Sequence, residues 1–312
     1  MSLAPAAPPP LKITFGPEPA PAGVFDPGLP VLAGESAEVI FGGARPAGHA
    51  GAFELFRAED WLLGAAAISI SPGLEAVAHR LYLEMFQAAQ ARGLHLARIW
   101  NYVPAINEPG PSGLENYRAF CRGRSLAFER QLGVDFKTFV PSASAVGSKA
   151  AALTVVFAAS PSPPCHVENP LQVPAYDYPG DYGPRAPSFA RATIVPARQP
   201  EHATVFISGT AAIRGHATVA PHRTREQLEC ALENLREISL ACGLGPDLDL
   251  AGKSLRHFKV YLRHAADHPA VTAVLEERLL RPGDLVSYLH ADICRAPLNV
   301  EIEATLRRRL AK

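Results

Sequence analysis

Two segments of this chain predict the same order of elements, and this internal repetition constrains the fold more than any other feature. In each segment a strand is followed by a helix with apolar residues at helical spacing, and then by another strand. Each helix stops at a glycine, Gly93 or Gly243, within the matching strings Ala-Arg-Gly-Leu and Ala-Cys-Gly-Leu. The predicted elements are Glu38 to Phe41, about Leu74 to Arg92, and Leu96 to Val103, then Ala203 to Ile207, about Arg225 to Ala241, and Phe258 to Leu262.

Strands and helices in this order predict an α+β fold of two related halves, each a mixed β-sheet with helices packed on one face. The helix of the second half also carries a start signal, because Thr224 and Gln227 have the spacing of a capping box. We interpret the two halves as products of a diverged internal duplication.

Prolines separate the two halves. They cluster between Ser160 and Pro200, where each removes a backbone donor and restricts the residue before it. We therefore predict a long connection with one short strand at Ala192 to Val195. The predicted divisions are a proline-rich N-terminal arm draped over the surface or partly disordered (1–33), an N-terminal half (34–160), the connection (161–200) and a C-terminal catalytic half (201–312).

The charge balance argues against two classes of partner. Thirty basic and thirty acidic residues cancel, and no basic run offers an electrostatic footprint for nucleic acid or for an anionic membrane. No stretch approaches the roughly 20 apolar residues of a transmembrane helix. The five cysteines are widely spaced without a C-x-x-C pair, which favours free thiols in a reducing cytoplasm. Isolated histidines and the lack of a nucleotide-binding motif predict neither a metal nor a cofactor.

The second half, from about 204 to 310, resembles the RidA/YjgF family in the strings Phe206 to Thr210, Ala231 to Leu235, Phe258 to Leu262 and Val300 to Ala304. A tighter resemblance covers nearly the whole chain and rests on Arg98 to Asn107, Glu115 to Phe120, Gly123-Arg124, Ser144 to Gly147 and Asp292 to Arg295. These strings look like the signature of the chorismatases, larger relatives of the RidA fold that remove pyruvate from chorismate. The resemblance implies that activity, without a cofactor, in a secondary-metabolite or pigment pathway.

Chorismate is a dianion with an enol ether, so its cleavage needs an acid that protonates the enolpyruvyl methylene. Glu301 is the candidate. In a strand, Glu301 and Glu303 face one side while Val300 and Ile302 face the other, and a like-charged neighbour with partial burial would raise the pKa of a carboxyl group. From the strand alone, a solvated sheet face is the better interpretation; the resemblance picks out Glu301 as catalytic. Glu303 is expected to be structural.

Cys294 and Gly209 indicate the branch of the family. Cysteine at the first position, with glycine after Ser208 at the strand end, resembles the members that form 3-hydroxybenzoate; alanine in place of the cysteine resembles those that hydrolyse chorismate to a dihydroxycyclohexadiene acid. Cys294 is therefore placed with the catalytic residues, and Ser208 and Gly209 with the substrate-binding residues. A bulge or a close backbone approach would also explain Gly209. Formation of 4-hydroxybenzoate stays open.

Arginine binds carboxylates through two parallel hydrogen bonds, which suits a dianionic substrate. The candidates within the matching strings are Arg124, Arg263 and Arg295, with Arg98 less favoured. For any one of them a surface salt bridge is the alternative. Tyr117 is a further candidate, as a hydrogen-bond donor to substrate or as an aromatic core residue.

Two other functions remain open at this point. One is a RidA-type imine deaminase, which rests on the second half alone and leaves the strings of the first half unexplained. The other is a non-catalytic small-molecule binding protein on the same fold. Because RidA proteins are trimers, the resemblance leaves both a monomer and a homotrimer possible.

Overall fold

A computed structural model of the chain describes residues 11–15, 23–38, 40–196, 203–249 and 254–308. Its helices are α1 (Leu74–Gln90), α2 (Asn116–Leu132), α3 (Thr224–Ala241) and α4 (His268–Arg278). Its strands are β1 (Lys12–Thr14), β2 (Val24–Phe25), β3 (Val31–Gly34), β4 (Ala37–Glu38), β5 (Arg45–Ala50), β6 (Phe53–Ala58), β7 (Trp61–Ser69), β8 (His95–Pro104), β9 (Ser142–Ser148), β10 (Ala152–Ser160), β11 (Cys165–Val167), β12 (Ala192–Val195), β13 (Thr204–Ala211), β14 (Ile213–Arg214), β15 (Ala217–Thr218), β16 (Ser254–Leu262), β17 (Leu285–His290) and β18 (Val300–Arg308). Among these helices, none is long and apolar enough to cross a membrane.

Two large sheets follow one plan. The first has the strand order β5-β6-β7-β10-β8-β9 and the second β11-β12-β13-β18-β16-β17, with β3 added at its far edge. In each sheet one pair is parallel, β8 with β9 and β16 with β17, while the other pairs are antiparallel. The predicted α+β fold with two mixed sheets is confirmed, and the matching strand orders support the duplication.

The helices lie on one face of each sheet, as predicted. Residues of α1 and α2 pack with the first sheet in one apolar cluster, and those of α3 and α4 pack with the second sheet in another. The two remaining faces pack against each other around Trp61, Trp100, Phe206 and Tyr261. Side chains that alternate away from the helices are therefore buried between the sheets, and a carboxylate placed there loses its water.

Two local predictions are wrong. The strand predicted at Glu38 to Phe41 is only Ala37–Glu38, in a small sheet with β1 and β2, and the first-half counterpart of β13 is β7. A run of four apolar-rich residues was too short to fix a strand, whereas Trp61–Ser69 buries most of its length.

The capping box of α3 is also wrong. No side chain caps this helix: the Thr224 hydroxyl donates to Asp267, 2.6 Å away, and the Gln227 amide donates to Pro297. Gln227 also accepts a hydrogen bond from the backbone N–H of Asn299 at 2.7 Å. The Thr224 hydroxyl accepts from the Asn299 amide at 3.0 Å, so both side chains tie the helix to the segment before β18. These tertiary partners compete with the local cap.

The proline-rich segments are partly described. Leu11, Ile13 and Phe15 of the predicted arm are buried between the sheets, while 1–10 and 16–22 lie outside the described residues. The predicted strand at Ala192 to Val195 is confirmed as β12. Residues 197–200 of the connection lie outside the described residues, and the division into four segments stays a prediction.

Candidate active site

A cavity of about 540 Å³ opens where the two halves meet. Its wall combines side chains of α2 and β9 from the first half, β13 and β18 from the second, the loop 291–299, and the proline-rich connection. Because the wall draws on both halves, neither half alone would enclose it.

Glu301 lies in this wall, near the start of β18, and only 3% of its surface is exposed. Its Oε1 has no hydrogen-bond partner among the described residues. Burial, followed by the repulsion of Glu303, raises the pKa of Glu301 from 4.5 to about 8, although Arg98 and Arg191 lower it in part. Glu301 is therefore a neutral acid near pH 7, and the alternative of a solvated sheet face is wrong.

Glu303 faces the same side but has a different environment. One oxygen accepts from Arg98 at 2.8 Å, and the other accepts from Lys259 at 2.7 Å and from the Trp100 ring N–H at 2.9 Å. Burial alone would raise its pKa, yet Lys259 and Arg98 lower it to about 2. Two carboxyl groups on one strand face thus hold opposite protonation states at neutral pH.

Cys294 lies in the loop between β17 and β18, and its Sγ is 4.0 Å from Oε2 of Glu301. Burial, with the nearby Glu301, raises the pKa of this thiol to about 12. The thiol is therefore protonated at neutral pH and donates a weak hydrogen bond to Oε2. Sequence and structure place Cys294 and Glu301, seven residues apart, side by side.

Gly209 lies opposite, on β13, where the pairing with β18 is irregular between Ile207 and Thr210. A Cβ on this residue would lie 2.0 Å from Oε1 of Glu301. The close-approach interpretation of Gly209 is confirmed, because the carboxyl group occupies the space that a side chain would fill.

Arg124 supplies a buried positive charge on the far wall. It is 1% exposed, lies 5.0 Å from the Phe120 ring centroid and donates to Cys121 Sγ at 3.7 Å. Its Nε has no hydrogen-bond partner among the described residues. A buried guanidinium with a free donor suits an anionic ligand.

Arg295 and Tyr117 also line the cavity. The Arg295 guanidinium stacks on Tyr182, 4.1 Å from the ring centroid, and donates to the His216 carbonyl at 2.9 Å. Tyr117 is buried beside Arg124, and burial raises the pKa of its hydroxyl well above the ordinary value, so it remains a hydrogen-bond donor.

Known proteins resemble this chain in sequence and in fold. The family described as "Chorismatase FkbO/Hyg5-like, N-terminal" matches residues 40–159. A 3-hydroxybenzoate synthase of Streptomyces hygroscopicus is 40% identical over 232 residues, which is 72% of this chain and 67% of the relative. This chain belongs to the chorismatase family.

Two further relatives of the family extend the match. A chorismatase of Streptomyces rapamycinicus is 38% identical over 255 residues, covering 80% of this chain and 75% of the relative. The crystal structure of a chorismatase superimposes with a TM-score of 0.78 at 31% identity, and the match covers 95% of this chain and 91% of that one. The chorismatase architecture therefore extends over both halves.

Two candidates drawn from the chorismatase resemblance lie outside the cavity wall. The Arg263 guanidinium donates to Leu298, Asn107 and the Ile293 carbonyl and pairs with Asp292, so it holds the loop that carries Cys294. Each of the three guanidinium nitrogens of Arg263 therefore already has a partner within the protein.

Ser208 is fully buried behind the wall. Its hydroxyl donates to the Ala190 carbonyl at 2.6 Å and accepts from the Ala143 N–H at 2.9 Å, which ties β13 to β9 and to the connection. The predicted role of Ser208 in binding substrate stays a prediction. Its burial and its two hydrogen bonds within the protein argue against that role.

Sequence reasoning missed the contribution of the connection. Arg191 lines the cavity, donates to the Tyr178 hydroxyl at 2.7 Å, and keeps an Nε without a hydrogen-bond partner among the described residues. Tyr178, Tyr182 and Phe189 complete this part of the wall. Aromatic residues and an arginine between prolines were an available signal, because a solvated linker rarely holds them.

Proposed function

We propose that the protein converts chorismate into 3-hydroxybenzoate and pyruvate, with Glu301 as the general acid. The observation that carries the proposal is a carboxyl group, neutral near pH 7, that is buried in the wall of a cavity lined by four arginines and has no partner for Oε1 among the described residues. Membership of a family whose relatives include a 3-hydroxybenzoate synthase supports the substrate and the product.

The arginines would hold the substrate. Chorismate carries two carboxylates. Arg124 keeps an Nε without a hydrogen-bond partner among the described residues, and Arg191, whose Nε lies 4.0 Å from Glu168, adds a second guanidinium group to the cavity wall. Arg295 stands beside Tyr178 and Tyr182 with a further charge. Charge-assisted hydrogen bonds from two guanidinium groups would fix the ring and the side chain relative to Glu301.

Glu301 would start the chemistry. The Cys294 thiol contacts Oε2, and Oε1, which lies against Gly209 and has no partner among the described residues, would carry the proton of the neutral acid. Transfer of this proton to the enolpyruvyl methylene carbon forms a methyl group and an oxocarbenium ion. General acid catalysis of this kind contributes roughly 10²–10⁴-fold.

The ring hydroxyl would then replace water as the nucleophile. Its oxygen attacks the neighbouring ring carbon as the ether bond to that carbon breaks, and the bonding pair leaves with pyruvate. The hydroxyl proton returns to the Glu301 carboxylate, and the ring rearranges to the aromatic product. Chorismate gives 3-hydroxybenzoate and pyruvate with no atoms added, so water must be kept from the reacting carbon; Cys294, a small apolar group in the wall, suits this role.

The test is turnover of chorismate by the purified protein, with pyruvate followed by coupled lactate dehydrogenase and the aromatic product by chromatography. We expect equal amounts of pyruvate and 3-hydroxybenzoate from the wild type, and a loss of roughly 10²–10⁴-fold in E301Q. E276Q, which changes a solvent-exposed glutamate on α4, is the matched control and should keep full activity.

Other outcomes separate the alternatives. Pyruvate with a dihydroxycyclohexadiene acid or with 4-hydroxybenzoate would keep the enzyme class and refute the product. Absence of pyruvate would refute the proposal and make imine hydrolysis the next assay. Thermal stabilisation by chorismate without turnover would identify a binding protein. A cytoplasmic location and a monomer or homotrimer also belong to the proposal; fractionation and light scattering test them.

A further inference from the structure

A buried cluster of charges lies directly behind the Glu301 carboxyl, between the two sheets. It consists of Arg98 on β8, Lys259 on β16, Glu303 on β18 and Glu38 on β4, each no more than 4% exposed. Lys259 bridges the two carboxylates, at 2.6 Å from Glu38 and 2.7 Å from Glu303. Burying four charges is costly unless each is paired, and here two cations face two anions.

The cluster is oriented toward the cavity. Arg98 donates both to Glu303 and to Ser144 at 2.9 Å, and Ser144 lines the cavity. Glu303 and Glu301 are two residues apart on β18, so both point to the face opposite the helices. A fixed negative charge therefore lies beside the carboxyl group that needs to keep its proton.

We infer that Glu303 is a positioning residue that keeps Glu301 in its neutral, proton-carrying form, and that Arg98 and Lys259 hold Glu303 ionised for this purpose. The inference rests on the proposed role of Glu301. Two neighbouring carboxyl groups do not readily ionise together, because their negative charges repel each other. The group with two cationic partners is the one that ionises. Burial raises the pKa of Glu301 most, and the Glu303 charge adds to this effect from outside the substrate site.

Other charged or titratable groups surround Glu301 on the side of the cavity. Cys294 and Arg295 come from the loop 291–299, Arg191 from the connection, and Arg124 and Tyr117 from α2 across the cavity. Cys294 and Tyr117 are neutral near pH 7 because burial raises the pKa of both groups. Arg98 and Arg191 favour the charged form of Glu301, whereas the Glu303 charge opposes it. The other carboxyl groups of the cavity wall are Glu115, which pairs with Arg118, and Asp181.

The test compares E303Q with R98M, which should act in opposite directions. Loss of the Glu303 charge lowers the pKa of Glu301, so the alkaline fall of kcat/KM moves to lower pH by about one unit or more. In R98M, Lys259 still holds Glu303 ionised, while the direct effect of Arg98, which lowers the pKa of Glu301, is lost; the fall therefore moves to higher pH. R98K keeps the charge and should return the profile toward that of the wild type. The pH dependence of kcat/KM reports groups of the free enzyme.

D284N is the matched control, because Asp284 pairs with buried Arg256 on the helix-covered face of the second sheet, away from Glu303 and outside the cavity wall. It should lower the thermal midpoint without moving the pH profile. Loss of folding in E303Q would leave R98M and R98K to decide the inference.

An infrared titration separates this inference from the proposed function. The carboxylic acid C=O band that is missing in E301Q should disappear at lower pH in E303Q and at higher pH in R98M than in the wild type. Bands and profiles that stay in place, or move in the same direction, would overturn the inference. Full activity of E301Q would instead overturn the proposed function. The C=O band of Glu301 in the wild type and in E303Q would still show whether Glu303 shifts the titration of Glu301.

Discussion

A Cβ on Gly209 would lie 2.0 Å from Oε1 of Glu301, closer than any atom of a real side chain could approach. The carboxyl group therefore occupies its place only because residue 209 has no side chain. The two residues lie on neighbouring strands at the irregular part of the pairing between β13 and β18. The position of the candidate acid Glu301 thus depends on the glycine at position 209.

Replacing Gly209 with alanine should turn the Glu301 carboxyl away from the substrate. We expect G209A to reduce pyruvate release by roughly 10²-fold, the lower range for loss of a general acid, and to change KM much less. Steady-state kinetics with chorismate measure this. G73A is the control, because a Cβ on Gly73 meets no atom within 4 Å, and its activity should stay unchanged. Full activity of G209A would contradict the role given to Oε1.

The rate should depend on pH through Glu301. Burial, with the nearby Glu303, raises the pKa of Glu301 to about 8, and a general acid works only while protonated. We therefore expect kcat/KM to be constant near neutral pH and to fall tenfold per unit above about pH 8. A fall that begins near the ordinary pKa of 4.5 would contradict the raised pKa of Glu301.

The raised pKa of Glu301 also lowers the stability of the folded protein at neutral pH. Between pH 4.5 and about 8 the folded chain keeps a proton that the unfolded chain has lost, so the free energy of unfolding falls as pH rises through this window. E301Q removes this cost. We expect it to be more stable than the wild type at pH 8, by on the order of 3 kcal/mol, and little different near pH 4. Denaturant titration at both pH values measures the difference.

Glu303 contributes with the opposite sign. Its pKa falls from 4.5 to about 2 in the folded chain, so its contribution is present above pH 4.5 and lost as pH falls toward 2. Acid unfolding of E303Q should consequently show a weaker dependence on pH in this window than that of the wild type. An unchanged slope would mean that Glu303 is not held ionised.

Arg124 and Arg263 should differ in what their replacement changes. Arg124 lines the cavity with a free Nε, so R124M should raise KM for chorismate by about 10- to 100-fold, as for a lost charge-assisted hydrogen bond. Arg263 holds the Cys294 loop, so R263M should lower the thermal midpoint and kcat more than it raises KM. Calorimetry and steady-state kinetics on both variants test the contrast; the reverse pattern would place Arg263 at the substrate.

Cys294 should govern the product. We expect C294A to release pyruvate but to form more of the dihydroxycyclohexadiene acid, because a smaller side chain next to Glu301 leaves room for water. Chromatography of the products measures the ratio. C230A, which changes a buried cysteine of α3 outside the cavity wall, should leave the ratio unchanged. An unchanged ratio in C294A would contradict the role of the thiol in excluding water.

Several features followed from the sequence because they are local. The spacing of apolar residues placed α1 and α3 within a few residues of their bounds, and strand alternation placed Glu301 and Glu303 on one face. The strings that resemble the chorismatases identified the family and pointed to Glu301 and Cys294. In these cases, the residues concerned are close along the chain.

Tertiary structure decided what those residues can do. Alternation alone left the face of β18 exposed or buried; the first sheet covers it and removes its water, which is the main reason why the pKa of Glu301 rises. Nothing local assigns Arg98 and Lys259 to Glu303, since these residues lie on three different strands. Likewise, the connection contributes Arg191 because it folds back over the cavity. Propensity and pattern fix elements and faces, whereas burial, charge pairing and cavity walls depend on contacts between residues far apart in sequence.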